Sequence, residues 1–306
     1  ATVLRHGQVV ERCDPREQSA AELAEMMVGS TLHVPKRAGG DRGAVLLEAM
    51  GLSLPAPSEF GTALKNVSFS LRAGEVLGIG GVAGNGQDEL LAALSGERLA
   101  PTGTLLLDAE DVARLRPDAR RARGLLTAPE ERLGHSAAPG MSLTENALIT
   151  GAVRETLTSN GFIRWGRTRD FTARIIEEFD VRTPGTEVAA GALSGGNLQK
   201  FVIGREILQR PLVFVVNQPT WGVDASAAAA IRQAILDLAG EGAGVIVISQ
   251  DLDELMDICD HFTALNEGAL APIRAAAGLS IEEVGLMMGG AHDMHDVTGA
   301  PPEVRP

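Results

Sequence analysis

Hydrophobic and polar residues alternate along this chain with two different periods. Short, fully apolar runs predict buried strands, and longer segments with an apolar residue at every third or fourth position predict helices. The predicted strands span 44–51, 67–71, 75–80, 104–108, 124–127, 212–216, 244–249 and 262–266; the predicted helices span 89–94, 193–208, 225–239 and 251–259, and 144–180 is predicted to be mostly helical. Strands that alternate with helices predict an α/β fold, in which helices cover both faces of a mainly parallel sheet.

A glycine-rich loop follows the predicted strand at 75–80, and its sequence is GGVAGNGQDELL. Ligands of parallel sheets bind at the carboxyl ends of the strands, so this loop is the first candidate site. A glycine loop that opens a helix binds phosphate through backbone N–H groups and the helix dipole. Gly81 and Gly86 fit the frame of a nucleoside-triphosphate loop, and Gly84 lies between them.

The two residues after this loop differ from those that a triphosphate loop uses. Gln87 and Asp88 stand where a lysine and a serine or threonine are expected. At about 4 Å and an effective dielectric constant near 20, one pair of charges is worth roughly 4 kcal/mol. The chain has three lysines, Lys36, Lys65 and Lys200, and none lies in the loop. The loop can therefore offer backbone donors, but it cannot neutralise a γ-phosphate as an ordinary loop does.

Composition and charge narrow the class of protein. The 306 residues predict about two domains. They carry 27 basic and 40 acidic side chains, a net charge of −13, which excludes a binder of duplex nucleic acid. The longest apolar runs are far shorter than a membrane span. The two cysteines form no CxxC pair, so we expect a reducing compartment and a cytoplasmic location, and we expect no metal site.

Four motifs resemble those of the ATP-binding-cassette (ABC) ATPases. LSGGNLQK at 193–200 is similar to the signature sequence, PLVFVVNQPTWGVD at 211–224 to the Walker B strand and D-loop, ISQDLDEL at 248–255 to the switch region, and TAPEER at 127–132 to the Q-loop. The motifs follow the family's order within 44–290. The resemblance implies an ABC cassette, with a mainly parallel P-loop-type sheet core, an antiparallel β subdomain and an inserted helical subdomain at about 133–192. In the family, a groove of the helical subdomain receives a coupling helix from a membrane subunit.

The signature segment is predicted to bind an anion for a neighbouring cassette. Ser194 and the amides of Gly195 and Gly196 lie at a predicted helix start, which favours an anion. In the family, this segment closes over the γ-phosphate of ATP held by the opposite cassette of a head-to-tail dimer. The resemblance therefore assigns five residues to the partner cassette's site: Ser194, Gly195, Gly196, Asn197 and Asp224.

The groups that would serve this cassette's own site are replaced. Asn217 stands where the family has an aspartate that supports magnesium, and Gln218 where it has the catalytic glutamate. Gln250 replaces the switch histidine, and Glu130 the Q-loop glutamine. Because a neutral amide cannot act as a general base, we expect no competent catalytic residue here. Phe60 is the nearest candidate for stacking on adenine, although a packing role fits it equally well. The degenerate nucleotide site is predicted to comprise Gly81, Gly84, Gly86, Gln87 and Asp88.

An intact signature beside an altered site of its own resembles the second cassette of the tandem ATPases that power bacterial sugar and nucleoside importers. The glycine loop and the NQPTWGVD run look more similar to the nucleoside branch, which is associated with basic membrane lipoproteins. The resemblance implies ATP and Mg²⁺, held mainly at the first cassette's site. It implies as partners the first cassette of the same chain, transmembrane permease subunits and, indirectly, a substrate-binding lipoprotein. It places the protein on the inner face of the cell membrane.

The start of the chain repeats its end at an offset of 261 residues. Eight of 28 aligned positions are identical, against roughly two expected from average composition. The identical residues are Thr2, Leu4, Gly7, Ser19, Glu22, Met26, Met27 and Gly29, matched by Thr263, Leu265, Gly268, Ser280, Glu283, Met287, Met288 and Gly290. We interpret 1–29 as the tail of a preceding cassette, 30–43 as a linker, 44–290 as the cassette and 291–306 as a flexible tail.

Two other functions fit parts of the sequence. A tandem cassette that acts on ribosomes or RNA should carry a long basic helix pair between its cassettes, whereas this linker is short and the chain is acidic. An NAD-binding oxidoreductase could use Gly78, Gly80 and Ala83 as a dinucleotide fingerprint, with Asp108 as the ribose acceptor. That interpretation leaves the signature segment unexplained.

Overall fold

The computed structural model describes residues 1–5, 8–14, 16, 18 and 43–290. Within these residues the chain forms fifteen strands: β1 (Thr2–Arg5), β2 (Gln8–Arg12), β3 (Val45–Leu54), β4 (Leu64–Arg72), β5 (Val76–Gly80), β6 (Leu105–Leu107), β7 (Glu110–Asp111), β8 (Leu125–Ala128), β9 (Thr158–Ser159), β10 (Phe162–Ile163), β11 (Val213–Asn217), β12 (Gly244–Ile248), β13 (His261–Asn266), β14 (Ala269–Leu270) and β15 (Arg274–Ala275). The helices of the same residues are α1 (Gln87–Ser95), α2 (Pro117–Ala122), α3 (Leu143–Gly151), α4 (Trp165–Glu178), α5 (Gly195–Ile207), α6 (Ala225–Gly240), α7 (Leu252–Ile258) and α8 (Ile281–Met288), with a 3₁₀ turn at Ala190–Ala192.

A seven-stranded, mainly parallel sheet forms the centre of the molecule, as the sequence predicts. Its order is β14, β13, β5, β12, β11, β8, and β15 also pairs with β13, through His261 and Phe262. The strands β8, β11, β12, β5 and β13 are mutually parallel. The residues of β5, β11 and β12 are all buried, because helices or a second sheet cover both faces of the parallel core.

Two apolar cores lie on opposite faces of this sheet. Successive side chains of a strand point to opposite faces, so β11 serves both cores: Phe214 and Val216 belong to one, and Val213 and Val215 to the other. The first core includes Phe201 of α5 and the helices of the inserted subdomain. The second includes side chains of α1 and of a four-stranded antiparallel sheet in the order β4, β3, β6, β7. The antiparallel subdomain expected from the resemblance is therefore confirmed.

The segment 144–180 is mostly helical, as predicted, but it also contains a hairpin that was not predicted. It contains the helices α3 and α4, and between them the chain turns through the hairpin β9–β10. Asn160 and Gly161 form the turn with φ values of 51° and 81°. An Asn-Gly pair favours this type I′ turn because both central residues need a positive φ. None of the helices in the described residues is long and apolar enough to cross a membrane.

The two ends of the described chain form hairpins of the same register. In the first hairpin Arg5 pairs with Gln8, and in the second Asn266 pairs with Ala269, which is the same pairing displaced by 261 residues. The next pairs, Leu4 with Val9 and Leu265 with Leu270, keep this displacement. The rest of the predicted first tail, nearly all of the linker at 30–43, and the tail at 291–306 lie outside the described residues.

The buried side chain of Arg120 closes the C-terminal end of α1. Its guanidinium donates to the carbonyls of Ala93 (2.6 Å), Leu94 (2.8 Å), Ala113 (2.9 Å) and Leu115 (2.9 Å). The last carbonyls of a helix have no partner within the helix, so this side chain satisfies two of them. Burial lowers the pKa of Arg120 to about 10, and the side chain therefore keeps its charge at neutral pH.

We expect Arg120→Met to destabilise the fold by about 3–5 kcal/mol, because it leaves buried carbonyls without donors. Chemical unfolding followed by circular dichroism measures the change. The exposed neighbour Arg114→Met is the matched control, with an expected change of no more than about 0.5 kcal/mol. Equal stabilities of the two variants would contradict the assignment of Arg120 as the cap of α1.

Candidate functional site

The glycine loop connects the end of β5 to the first residue of α1. Gly86 immediately precedes the helix with a φ of 112°, a conformation that side-chain-bearing residues rarely adopt. Gly81 and Gly84 also have positive φ values. This segment therefore has the strand, glycine turn and helix that the sequence predicts.

The side chain of Gln87 is folded back into this loop and is buried there. Its Nε2 donates to the carbonyl of Val82 (2.9 Å), and its Oε1 accepts from the backbone N–H of Asn85 (3.0 Å). The amide of Asn85 is one of the donors that a glycine loop offers to a phosphate oxygen. Here Gln87 Oε1 accepts the hydrogen bond from that amide, so the loop is filled by the side chain of Gln87.

A turn from a distant part of the chain holds the same loop from outside. Asn85 Oδ1 accepts from the backbone N–H of Glu267 (2.8 Å), and its carbonyl accepts from Gly268 N–H (2.8 Å). A Cβ at Gly268 would lie 1.8 Å from the carbonyl oxygen of Ala63, so only glycine fits. The turn between β13 and β14 therefore fixes the loop in one conformation.

Asp88 is hydrogen-bonded to a side-chain amide at the end of β11. Asn217 Nδ2 donates to Asp88 Oδ1 at 3.1 Å. Burial, followed by the charge of Glu89, raises the pKa of Asp88 above its ordinary value. The described residues contain no group of three or more His, Cys, Asp or Glu side chains that could hold a metal ion. The side chains that meet at the loop, the carboxyl of Asp88 and the amide of Asn217, differ from the lysine and hydroxyl with which a triphosphate loop holds a magnesium–phosphate complex.

Gln218 and Gln250 have different surroundings. Gln218 is buried with a φ of 53°, and its Oε1 lies at the limit of hydrogen bonding, 3.5 Å from Ser249 Oγ. Gln250 is exposed to solvent. The carboxylate that organises this region is Glu254, which the sequence analysis missed. It accepts from Thr220 Oγ1 (2.6 Å) and Ser249 Oγ (2.7 Å), and burial raises its pKa.

Glu130 and the segment after it line a cavity of about 740 Å³ between α1 and the signature segment. Asp88, Glu130, Gly195 and Trp221 all lie on its wall. Burial, and then the charge of Asp88, raises the pKa of Glu130. The structure thus brings two predicted residues of the own site and one of the signature onto one cavity, which Arg132 and His135 also line.

The signature segment is exposed where it begins α5. Ser194 is the N-cap residue, but its side chain makes no capping bond; its Oγ accepts instead from Asn197 Nδ2 (2.9 Å). Leu198 N–H is the first to bond within the helix, to the carbonyl of Ser194. The amides of Gly195, Gly196 and Asn197 therefore stand at an open helix N-terminus, and Ser194 and Gly195 are exposed.

Asp224 has a local role that the sequence analysis did not assign to it. Its Oδ1 accepts from the backbone N–H of Ala227 (2.9 Å) and caps α6. The preceding Trp221 is 66% exposed, and Phe60 is 98% exposed, so neither ring packs in the core. Asp108 lies exposed in the turn between β6 and β7 of the antiparallel sheet, at a positive φ, so it does not end a strand of the parallel sheet as a ribose acceptor would.

Comparison with known proteins decides the family. The sequence profile described as "ABC transporter" matches residues 64–221. The chain belongs to the ABC transporter family. This ABC chain is 38% identical over 303 residues to the glucose import ATP-binding protein TsgD13 of Haloferax volcanii, covering 98% of the chain and 55% of the relative. It is 32% identical over 292 residues to the nucleoside import ATP-binding protein NupA of Lactococcus lactis, covering 95% and 58%.

The ABC chain thus spans little more than half the length of these curated relatives. Its fold is that of solved cassettes. A nucleotide-free ATP-binding cassette from an ABC transporter superposes with a TM-score of 0.62 at 22% identity, covering 80% of this chain and 96% of that one. The α/β cassette fold expected from the four motifs is confirmed.

We expect Asp88→Asn to stabilise the protein in a pH-dependent manner. The folded state holds the Asp88 proton more tightly than the unfolded state, so the wild type loses stability as the pH rises through the raised pKa. Asparagine keeps an oxygen for Asn217 and does not titrate. The unfolding midpoint of the variant should exceed that of the wild type at about pH 7, and the difference should shrink towards about pH 4. Glu59→Gln, an exposed acid, serves as control, and a difference independent of pH would argue against this account.

Proposed function

We propose that this chain is the second cassette of a tandem ABC importer ATPase. In this proposal its own site does not hydrolyse ATP, and its signature completes the ATP site of the first cassette. The observation that carries the proposal is the position of Gln87, whose two hydrogen bonds occupy the loop in place of a phosphate.

The charges around the loop support a site that no longer hydrolyses ATP. Asp88 and Glu130 face one cavity, and Asp88 carries Asn217 as its hydrogen-bond partner. A triphosphate at the loop would meet Asp88 where a hydroxyl is expected and no loop lysine, and one pair of charges at about 4 Å is worth roughly 4 kcal/mol at an effective dielectric constant near 20. The amides of Gln218 and Gln250 cannot take a proton from water, and Asn217 lacks the negative charge of the aspartate that it replaces.

The signature segment supports a role at another site. The amides of Gly195, Gly196 and Asn197 and the hydroxyl of Ser194 stand at an exposed helix start. An anion at such a position gains from both hydrogen bonds and the helix dipole. The anion we assign to it is the γ-phosphate of ATP, held with Mg²⁺ by the first cassette's own loop. We place Asp224 beside this contact.

The chain ends and the length of the relatives support a tandem arrangement. The hairpins β1–β2 and β13–β14 share one register at an offset of 261 residues. The relatives are nearly twice as long as the part that this chain matches. We therefore assign 1–29 to the end of the first cassette, 30–43 to the linker, 44–290 to the second cassette and 291–306 to a tail.

The names of the relatives support a proposal for the solute and the partners. One is named as a glucose importer and another as a nucleoside importer, so we propose simple sugars or nucleosides as solutes. The permease partner would dock in the groove of about 440 Å³ on the helical subdomain, beside Trp165 and Glu145. That contact would hold the protein at the inner face of the membrane, with a substrate-binding lipoprotein on the other side.

In the full-length protein we expect Ser194→Arg to lower the ATPase kcat by about a hundredfold or more, because it fills the anion site with a side chain. Steady-state phosphate release measures the effect. Ser70→Arg adds the same charge to an exposed position of β4 and should leave kcat unchanged. Undiminished turnover of the Ser194 variant would refute the proposed function.

We also expect the 306-residue chain alone to show no magnesium-dependent ATP hydrolysis, since the groups that would activate water are neutral amides. The full-length protein assayed in parallel is the positive control. Robust turnover by the isolated chain, lost in Gln218→Ala, would show that this cassette is catalytically competent.

A further inference from the structure

Arg132 lies where the Q-loop-like segment, the signature helix α5 and the D-loop meet. It follows Glu130 in the Q-loop-like segment, and its Nε donates to Gln199 Oε1 at 2.8 Å. Gln199 is buried on α5, four residues after Gly195 and therefore on the same face of the helix. The side chain of Arg132 thus connects the segment beside the cassette's own site to the signature helix.

Gln199 carries the connection onward to the segment that follows β11. Its Nε2 donates to the carbonyl of Pro219 (2.8 Å) and lies 3.4 Å from the carbonyl of Gln218. These residues lead directly into the D-loop at Trp221 and Gly222. One buried amide therefore receives a hydrogen bond from the Q-loop side and donates one to the D-loop side.

The guanidinium of Arg132 also packs against the backbone at Gly195 and at Gly222. A Cβ at Gly195 would lie 2.8 Å from Nη1, and a Cβ at Gly222 would lie 3.3 Å from Nη2. These distances leave no room for a side chain at Gly195 while the guanidinium holds this position. Nη2 is buried and has no hydrogen-bond acceptor among the described residues.

The segment that carries Arg132 is itself held in place. Ala137 N–H donates to the carbonyl of Arg132 (2.8 Å), and Ser136 N–H donates to the carbonyl of Glu131 (3.0 Å). Ser136 is in turn tied to α5, because its carbonyl accepts from Arg205 Nη2 (2.9 Å) and Arg205 is fully buried beside Glu206. Arg132 therefore extends from a loop that these hydrogen bonds hold in place.

From this geometry we infer that Arg132, acting through Gln199, is the positioning residue that sets the signature segment and the D-loop in one arrangement for the partner cassette. The inference rests on the proposed function and deepens it. An arginine suits the task because its planar guanidinium can bond Gln199 and fill the space between two glycines at once, whereas a lysine has one donor group at the end of a flexible stem.

The test uses the full-length protein and separates kcat from KM. ATP binds mainly at the first cassette, so loss of positioning should affect the closed, reacting state more than ATP binding. We expect Arg132→Met to lower kcat about tenfold and to leave the KM for ATP within about twofold. Arg132→Lys should recover little of the loss. Arg174→Met removes an exposed arginine that pairs with Glu178 on α4, and it should change neither constant.

Gln199→Leu breaks the same connection from the other side and serves if the Arg132 variants do not fold. Because Arg132 acts through Gln199, its loss should add little once Gln199 is replaced, so the double variant should be no slower than the slower single variant by more than about twofold. Independent, multiplying losses would overturn the inference, as would a fall in kcat that the Arg174 control shares.

Ser194→Arg, measured in the same series, separates the two proposals. If it abolishes turnover while Arg132→Met and Gln199→Leu keep wild-type kcat, the positioning role is wrong and the proposed function stands. If turnover survives Ser194→Arg itself, the proposed function fails and the positioning role fails with it.

Discussion

Parallel pairing of β5, β12 and β11 determines where the groups of the site lie. Ser249 N–H donates to the carbonyl of Ile79 (3.2 Å), and Gln218 N–H donates to the carbonyl of Ile248 (2.8 Å). The chain therefore leaves all three strands at one edge of the sheet. Because the two faces of these strands pack into different cores, a shift of one residue would move every side chain into the opposite core, so the register is strongly fixed. The glycine loop, the amide of Asn217 and the Thr220–Glu254–Ser249 cluster meet as a result of this register.

The polar groups near this edge differ in whether other residues of the cassette supply their hydrogen-bond partners. Gln87 bonds to Val82 and Asn85, and Asn217 bonds to Asp88. A buried polar group without a partner costs about 1–3 kcal/mol, and these internal bonds avoid that cost without a nucleotide. The N-terminus of α5 differs, since its first amides precede the helix's own hydrogen bonds and lie at the surface. The polar groups beside the glycine loop are hydrogen-bonded within the cassette, whereas the backbone donors at the N-terminus of α5 are not used by the helix itself.

The sequence predicted the sheet, the glycine loop and the signature helix closely, because each depends on a local pattern. Apolar runs fixed β5, β11 and β12 to within a residue or two. The hairpin between α3 and α4 was missed although its Asn160-Gly161 turn is a local signal. The contacts of Asp88 with Asn217 and of Arg132 with Gln199 join residues 129 and 67 positions apart. No local pattern specifies such pairs, so only the packed fold reveals them.

The filled glycine loop has a thermodynamic consequence. A ligand raises the stability of a protein only to the extent that it binds the folded state better than the unfolded one. The donor of Asn85 is already engaged by Gln87, and the turn at Glu267 and Gly268 holds the loop without a ligand. Under the proposal that this cassette serves only its partner's ATP site, its folding free energy is set by its own packing and does not follow the ATP concentration of the cell. The cassette would then give its partner a surface of the same shape at every ATP level.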